Sequence, residues 1–397
     1  MISKKMKPLV ANNSVIRLMF EEGKKMAALY GAENVFDFSL GNPNVPAPEE
    51  VKEAILDIVE NEDPVKVHGY MSNAGFPETR RAIAENLNRR FGTSFDEGNI
   101  IMTVGAGSAL NIILKTMLEP GDEVICLAPY FVEYGNYIRN YDGIPVVVSA
   151  NPEGGFMPKF HELEEKIGPK TKALIINNPN NPTGVIYPEE VIVRLTDILK
   201  KKEEEYGHVI YLISDEPYRE LAYGDREVPY LTKYYNDTLV GYSYSKSLSL
   251  PGERIGYIVI PYESDEAREF IDAAVIANRV SGAVNAPSLI QLVIARCVDA
   301  KCNVGYYERN GRELYEALTE MGFECVEPQG AFYLWVKSPV EDEKEFVAAA
   351  KEHNILFVPG SSFAGPGYVR ISYCVSHEQI ERSIPAFREL AKKYFVV

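Results

Sequence analysis

Leu239 to Arg254 reads L-V-G-Y-S-Y-S-K-S-L-S-L-P-G-E-R. Its apolar start, Leu239 to Tyr242, has the character of a buried strand. Directly after it a single lysine, Lys246, stands among Ser243, Ser245, Ser247 and Ser249. A lysine becomes a nucleophile when its surroundings lower its pKa or when it is held as a Schiff base, and small hydroxyls beside it suit a bound phosphate. Arg254 adds a permanent positive charge a little further on. Taken alone, the same residues also make a solvated loop, so the weight falls on what stands at the ends of the neighbouring apolar runs.

Those runs are Ile100 to Val104, Glu123 to Leu127, Pro145 to Val148, Ala173 to Asn177, Val209 to Ser214, Leu239 to Ser243 and Gly256 to Ile260, and helical segments alternate with them. Such alternation predicts an α/β fold with one mostly parallel seven-stranded sheet between helices. Ligands of such sheets bind beyond the carboxyl ends of the strands. After Asn285 the pattern changes to a long helical segment, Pro287 to Glu320, and then to four strand-like runs with helices at Asp342 to Glu352 and His377 to Tyr394. The reading is a large domain over 49–286 and a smaller α+β domain built from 1–48 and 287–397. Near the start, helices are expected over Asn12 to Gly31, Glu49 to Glu60 and Pro77 to Phe91, with a short strand over Phe36 to Leu40.

The strand ends carry an unusual set of groups. V-G-A-G-S-A-L, Val104 to Leu110, runs into a helix expected near Ser108, and glycines before a helix N-terminus present backbone N–H groups to an anion. A-P-Y-F-V-E-Y, Ala128 to Tyr134, offers aromatic faces at Tyr130 and Phe131. N-N-P-N-N-P-T-G, Asn177 to Gly184, aims amides from a proline-stiffened loop, and S-D-E-P-Y places Asp215, Glu216 and Tyr218 after the next strand. G-N-P-N-V-P-A-P, from Gly41, is a turn-rich connector whose glycine admits close approach of backbone to a ligand. An anion cradle, an aromatic plate, an amide, a carboxylate, a phenol, a lysine and an arginine suit pyridoxal 5′-phosphate.

On these motifs the chain resembles the class I/II aminotransferases of PLP fold type I along nearly its whole length. The resemblance implies that Lys246, in S-x-x-K, carries the cofactor as an aldimine, with Ser243, Ser245 and Arg254 at the phosphate and the backbone of Ala106, Gly107 and Ser108 around it. It implies Asp215 for the pyridine nitrogen, Tyr218 for the ring oxygen, Asn181 as the N-P-T-G asparagine at the cofactor, and Phe131 for the stacking aromatic. Tyr70, in Y-x-x-x-x-G-x-x-x-x-R, is similar to the tyrosine that reaches the phosphate of a neighbouring subunit, which implies a homodimer with shared sites. P-Q-G-A-F-Y from Pro328, P-G-S-S-F from Pro359 and Y-V-R-I-S-Y from Tyr368 resemble the smaller domain's signatures. Among them Arg370 matches the arginine that clamps the substrate α-carboxylate, near Gly41 and Asn181 on the substrate side. Three positions depart from the pattern: Thr79 where leucine is usual, Ala364 where glycine often stands, and Gly107 where some aspartate-specific members place lysine. With that lysine absent, Arg279 is the candidate cation for a distal carboxylate, and without it the Tyr- and Phe-rich pocket favours neutral or aromatic donors.

The implied reaction is transfer of an amino group between an L-amino acid and a 2-oxo acid, aspartate with 2-oxoglutarate being one candidate pair. A C–S β-lyase on the same fold uses the same residues, and a cofactor-binding regulator is the reading outside enzymes. Composition bears on that last alternative. Of 397 residues, 41 are Lys or Arg and 57 Asp or Glu, and the net charge of −16 repels nucleic acid and anionic membranes. Five cysteines show no metal-ligand or CxxC spacing, so no metal site and no disulfide framework are expected, which fits a reduced cytoplasmic protein. The stretch from Met1 to Val10 has no apolar core of signal-peptide length, and no run is long enough to span a bilayer.

Overall fold

The seven apolar runs are strands, and six of them are buried nearly throughout because both of their faces are covered, while Ile144–Val148 at the sheet's edge is partly exposed. The computed structural model describes residues 2–11 and 15–396. Its strands are β1 (Phe36–Asp37), β2 (Ile100–Thr103), β3 (Glu123–Leu127), β4 (Ile144–Val148), β5 (Thr171–Asn177), β6 (Tyr211–Asp215), β7 (Thr238–Ser243), β8 (Gly256–Val259), β9 (Tyr333–Lys337), β10 (Ile355–Leu356), β11 (Val358–Pro359) and β12 (Tyr368–Ser372). The chain divides into two compact units. One holds 45–181 and 186–304, and the other holds 1–44, 182–185 and 305–397.

The larger unit contains a seven-stranded sheet in the order β2-β8-β7-β6-β5-β3-β4. Every pairing is parallel except those of β8, which runs antiparallel to both β2 and β7. Two antiparallel steps restore direction, so β2 points the same way as β3 to β7. Consequently Thr103, Leu127, Asn177, Asp215 and Ser243 all leave the sheet at one edge. Register sharpens this: Thr103, Gly256 and Ser243 form one row, and Asn177, Asp215 and Gly241 form another. Helices bury apolar stripes on both faces, Gly105–Met117 and Ala267–Val280 on one side and Glu49–Asn61, Pro77–Phe91 and Ser288–Cys297 on the other.

Several boundaries differ from those expected. The helical segment from Pro287 is two helices, Ser288–Cys297 and Val304–Glu320. The first of them belongs to the larger unit, which therefore ends after Val304 and not at 286. Side chains show why: the Gln291 carbonyl accepts from Thr79 Oγ1 at 2.9 Å, the Gln291 side chain accepts from the Phe76 N–H at 2.9 Å, and the Cys297 thiol reaches the Glu50 carbonyl. The Thr79 hydroxyl thus has a specific use that leucine cannot supply. At the other boundary, Val45 to Pro48 group with the larger unit. The helix after β2 begins at Gly105, ahead of the expected Ser108, and Glu216 to Arg219 form a turn. Near the N-terminus helices cover Met6–Ala11 and Val15–Tyr30, while Asn12 to Ser14 of the expected helix lie outside the described residues.

The smaller unit has two little sheets. β1 pairs in parallel with β10, and β11-β12-β9 form an antiparallel sheet. Of the four strand-like runs expected after Glu320, Ile355 to Val358 is therefore split between the two, and Phe323 to Val326 contributes an isolated bridge at Cys325. Helices Val304–Glu320, Glu343–Glu352 and His377–Ala391 accompany these sheets. Pro182 to Val185 group here because the Gly184 carbonyl accepts from the Gln329 and Gly330 N–H groups, each at 3.0 Å.

Candidate active site

At the shared strand edge, Asp215 is the most constrained group. Its side chain is buried, its Oδ2 accepts a 2.5 Å hydrogen bond from the Tyr134 hydroxyl, and its Oδ1 has no partner. Burial pushes its pKa up to about 7, while the Tyr134 hydrogen bond pulls the other way and nearby Glu216 adds to the rise. Tyr134 opens the helix Tyr134–Asn140, stacks edge-on against Phe131 at 5.7 Å between ring centroids, and lies parallel to Tyr130. The expected plate at Phe131, the carboxylate at Asp215 and this phenol thus belong to one packed group. Burial, with Asp215 next, raises the Tyr134 hydroxyl well above the ordinary tyrosine range, so it acts as a donor.

Beside Asp215 in register, Asn177 ends β5. Its Nδ2 donates to the Asp215 carbonyl at 2.9 Å and its Oδ1 accepts from the Asn181 N–H at 2.7 Å. Asn181 and Tyr218 are both buried in the same unit. Glu216, next to Asp215, turns away into a buried pair with Arg219, which also donates to the carbonyls of Val228 and Pro229.

On the neighbouring row, Ser243 caps the four-residue helix Tyr244–Ser247 that carries Lys246: its Oγ accepts from the Ser245 N–H at 3.1 Å and lies 2.8 Å from Ser245 Oγ. Both serines are buried and Lys246 is half-buried. The Ser247 carbonyl accepts from the Cys302 N–H, tying this short helix to a distant segment of the same unit. Arg254 is exposed, donates to the Pro251 carbonyl at 2.9 Å, and leans over the start of the helix Gly105–Met117. Gly105 has φ +79, and a Cβ there would stand 2.7 Å from an Arg254 guanidinium nitrogen. That helix has no side-chain cap, so the N–H groups of its first turn, around Ala106, Gly107 and Ser108, remain for an anion. The Tyr137 hydroxyl borders Gly107, and burial pushes its pKa up to about 12.

These residues fit pyridoxal 5′-phosphate on structural grounds. The vacant Oδ1 of a buried carboxylate asks for a cationic N–H, and the uncapped helix start beside Arg254 asks for a phosphate. Lys246, Asp215, Tyr218, Phe131, Asn181, Ser243, Ser245, Arg254 and residues 106–108 all belong to the larger unit. Sequence reasoning missed Tyr134, Tyr137 and Asn177. Tyr134 stands one helical turn beyond Phe131, and that spacing was its only signal.

Arg370 belongs to the smaller unit and is 2% exposed. It donates to the Ser39 carbonyl at 2.7 Å and lies against the faces of Tyr333 and Phe363, 4.5 and 4.7 Å from their centroids. Tyr333 in turn approaches Gly41 so closely that a Cβ at that position would lie 2.2 Å from the phenol oxygen. Arg279 is exposed near the end of helix Ala267–Val280, and Tyr70 is 93% exposed in the single chain. Among the described residues no helix is long and apolar enough to cross a membrane.

Comparison with known proteins adds four matches. A family model, aminotransferase class I and II, covers residues 33–387. The aspartate/prephenate aminotransferase of Thermus thermophilus is 34% identical over 87% of this chain and 88% of its own length. Among solved structures, an amino transferase from Eubacterium rectale superposes with a TM-score of 0.97 at 47% identity, covering 99% of both chains. The Thermus thermophilus aspartate aminotransferase with maleate superposes with a TM-score of 0.88 at 30% identity, over 98% of this chain and 99% of that one.

Proposed function

Because the chain belongs to the class I and II aminotransferase family and is a transaminase, we propose that it works through pyridoxal 5′-phosphate bound at Lys246 and draws its amino group from aspartate. Its sheet and smaller α+β unit have the fold type I architecture of these enzymes. Relatives named as aminotransferases favour transfer over the C–S β-lyase and regulator readings. The observation that carries the cofactor assignment is the buried Asp215 carboxylate, held by Tyr134 on one oxygen and open on the other.

When bound, this cofactor supplies an aldehyde that captures the substrate amine and a ring that accepts electrons from Cα. Lys246 Nζ would hold the group through its aldehyde, and the same amine would take a proton from the substrate Cα as a general base and return it as a general acid. Asp215 would keep a proton on the ring nitrogen, a role that a buried carboxylate fills by pairing with a cation. Tyr218 and Asn181 would hold the ring at its oxygen, Phe131 would stack on it, and Ser243, Ser245, Arg254 and the N–H groups of Ala106, Gly107 and Ser108 would hold the phosphate. Arg370 binds the α-carboxylate, where its planar fork matches two oxygens at once, with Gly41 as close-approach backbone. Tyr70, exposed in the single chain, serves the partner's phosphate in a homodimer. The cysteines are free, in keeping with a reducing cytoplasm.

For the distal carboxylate of aspartate we assign Arg279. The support is a relative named for aspartate and another solved with maleate, a dicarboxylate. A screen of amino donors against 2-oxo acids, run on the wild type and on Arg279→Ala, tests both parts. Aspartate or glutamate with 2-oxoglutarate is expected to lead, and the variant to lose dicarboxylates while sparing alanine. Equal losses for aspartate and alanine overturn the clamp, and release of pyruvate from cystathionine without a keto acceptor overturns transfer as the main reaction.

A further inference from the structure

Asn177 is 4% exposed and ends β5 level with Asp215 on β6. One carboxamide makes two bonds in opposite senses: Nδ2 donates to the Asp215 carbonyl at 2.9 Å, and Oδ1 accepts from the Asn181 N–H at 2.7 Å. The amide orientation is determined by its partners, since a carbonyl can only accept and an N–H can only donate. The asparagine carboxamide carries a donor nitrogen and an acceptor oxygen on one carbon. Aspartate has no donor for the carbonyl and leucine has neither group.

We propose that Asn177 is a positioning residue, which holds the backbone of Asp215 and of Asn181 in one register so that a single side chain sets the spacing of the groups facing the two polar atoms of the cofactor ring. This rests on the assignment of Asp215 and Asn181 to that ring. Asp215 is then held at two points: Asn177 fixes its backbone and Tyr134 fixes its carboxylate. Asn181 follows Asn177 through a loop whose other closure is separate. Asn178 donates to the Tyr187 carbonyl at 3.1 Å and accepts from the Tyr187 N–H at 2.9 Å, so its side chain ties the loop to its own course while that of Asn177 ties it to Asp215. That division separates a structural role from a positioning role.

The test compares Asn177→Ala with Asn178→Ala in the holoenzyme, reading kcat, KM and the pH midpoint of the bound cofactor's visible absorption, and reading thermal stability of the cofactor-free protein. For Asn177→Ala, kcat is expected to fall about tenfold or more with KM within about threefold. The absorption midpoint is expected to move by about half a pH unit or more, since the charge facing the ring is displaced. Asn178→Ala is expected to lower stability while leaving that midpoint in place. If Asn177→Ala does not fold, Asn177→Asp keeps the oxygen toward Asn181, loses the tie to Asp215, and is expected to show the same midpoint shift. Equal midpoints in the Asn177 variant and the wild type, or equal shifts in both variants, overturn the positioning role while leaving the cofactor assignment intact. A wild-type protein that binds pyridoxal phosphate through a lysine other than Lys246 overturns that assignment, and the inference with it.

Discussion

The Tyr134 hydroxyl donates a 2.5 Å hydrogen bond to Oδ2 of Asp215 and leaves Oδ1 of the same buried carboxylate without a partner. A charge-assisted bond of this kind contributes about 1.5 to 3 kcal/mol when the acceptor is ionised and less when it is protonated. Tyr134→Phe should therefore destabilise the cofactor-free protein more at pH 8 than at pH 5, as read by urea unfolding. Equal losses at both pH values would show that the phenol is only packing.

Asp215 itself sets a pH dependence. Its folded pKa, about 7, lies above the ordinary carboxylate value of 3.8 because burial disfavours the charge. Below about pH 4 the folded and unfolded chains both hold the proton and the contribution is fully present; as pH rises toward 7 the unfolded chain has already released a proton that the folded chain keeps, and about 4 kcal/mol is lost. Asp215→Asn cannot ionise, so relative to the wild type the cofactor-free variant should gain stability at pH 8, gain less at pH 5 and show little gain below about pH 4. A difference that does not change with pH would contradict the burial argument.

Borohydride treatment of the holoprotein should fix pyridoxyl mass on the peptide containing Lys246, as read by mass spectrometry. Lys246→Ala should take up none and should lose turnover. Label on another lysine would sink the assignment.

Gly105→Ala forces a side chain into left-handed backbone and sets its Cβ against the Arg254 guanidinium. The backbone alone costs about 1 to 3 kcal/mol. Displacement of Arg254 should weaken pyridoxal phosphate binding by about tenfold or more, measured by fluorescence titration. Unchanged affinity would remove Arg254 from the phosphate.

Arg370→Lys keeps the charge but not the fork that spans the Ser39 carbonyl and the faces of Tyr333 and Phe363. We expect kcat/KM to fall by about 2 to 4 kcal/mol for every amino acid tested, whatever its side chain. Losses confined to aspartate and glutamate would move Arg370 from the α-carboxylate to the distal one.

Element order was legible because apolar runs and turn residues act locally. Glu123–Leu127 and Pro77–Phe91 fall where the pattern put them, and the helix after β2 was misjudged by only three residues at Gly105. Lys246, Asp215, Phe131 and Asn181 stood out as candidates because each follows a strand-like run and a parallel sheet sends such ends to one edge, while their roles came from the family resemblance. The helix Ser288–Cys297 could not be assigned to its unit from its own residues, because its amphipathic stripe fits any apolar face. Only contacts with Phe76, Thr79 and Glu50, more than two hundred positions away, place it.

By itself, the sequence determined the strands, their connecting helices and the chemical kind of each group at their ends, since periodicity and side-chain chemistry are carried by neighbouring residues. Tertiary structure alone decided the state of those groups. Tyr134 meets Asp215 across 81 positions, Asn177 meets it across 38, and Arg370 meets Ser39 across 331. The proton affinity of Asp215 depends on how much water those encounters exclude and on which donors they bring, and neither quantity exists until distant segments are packed together.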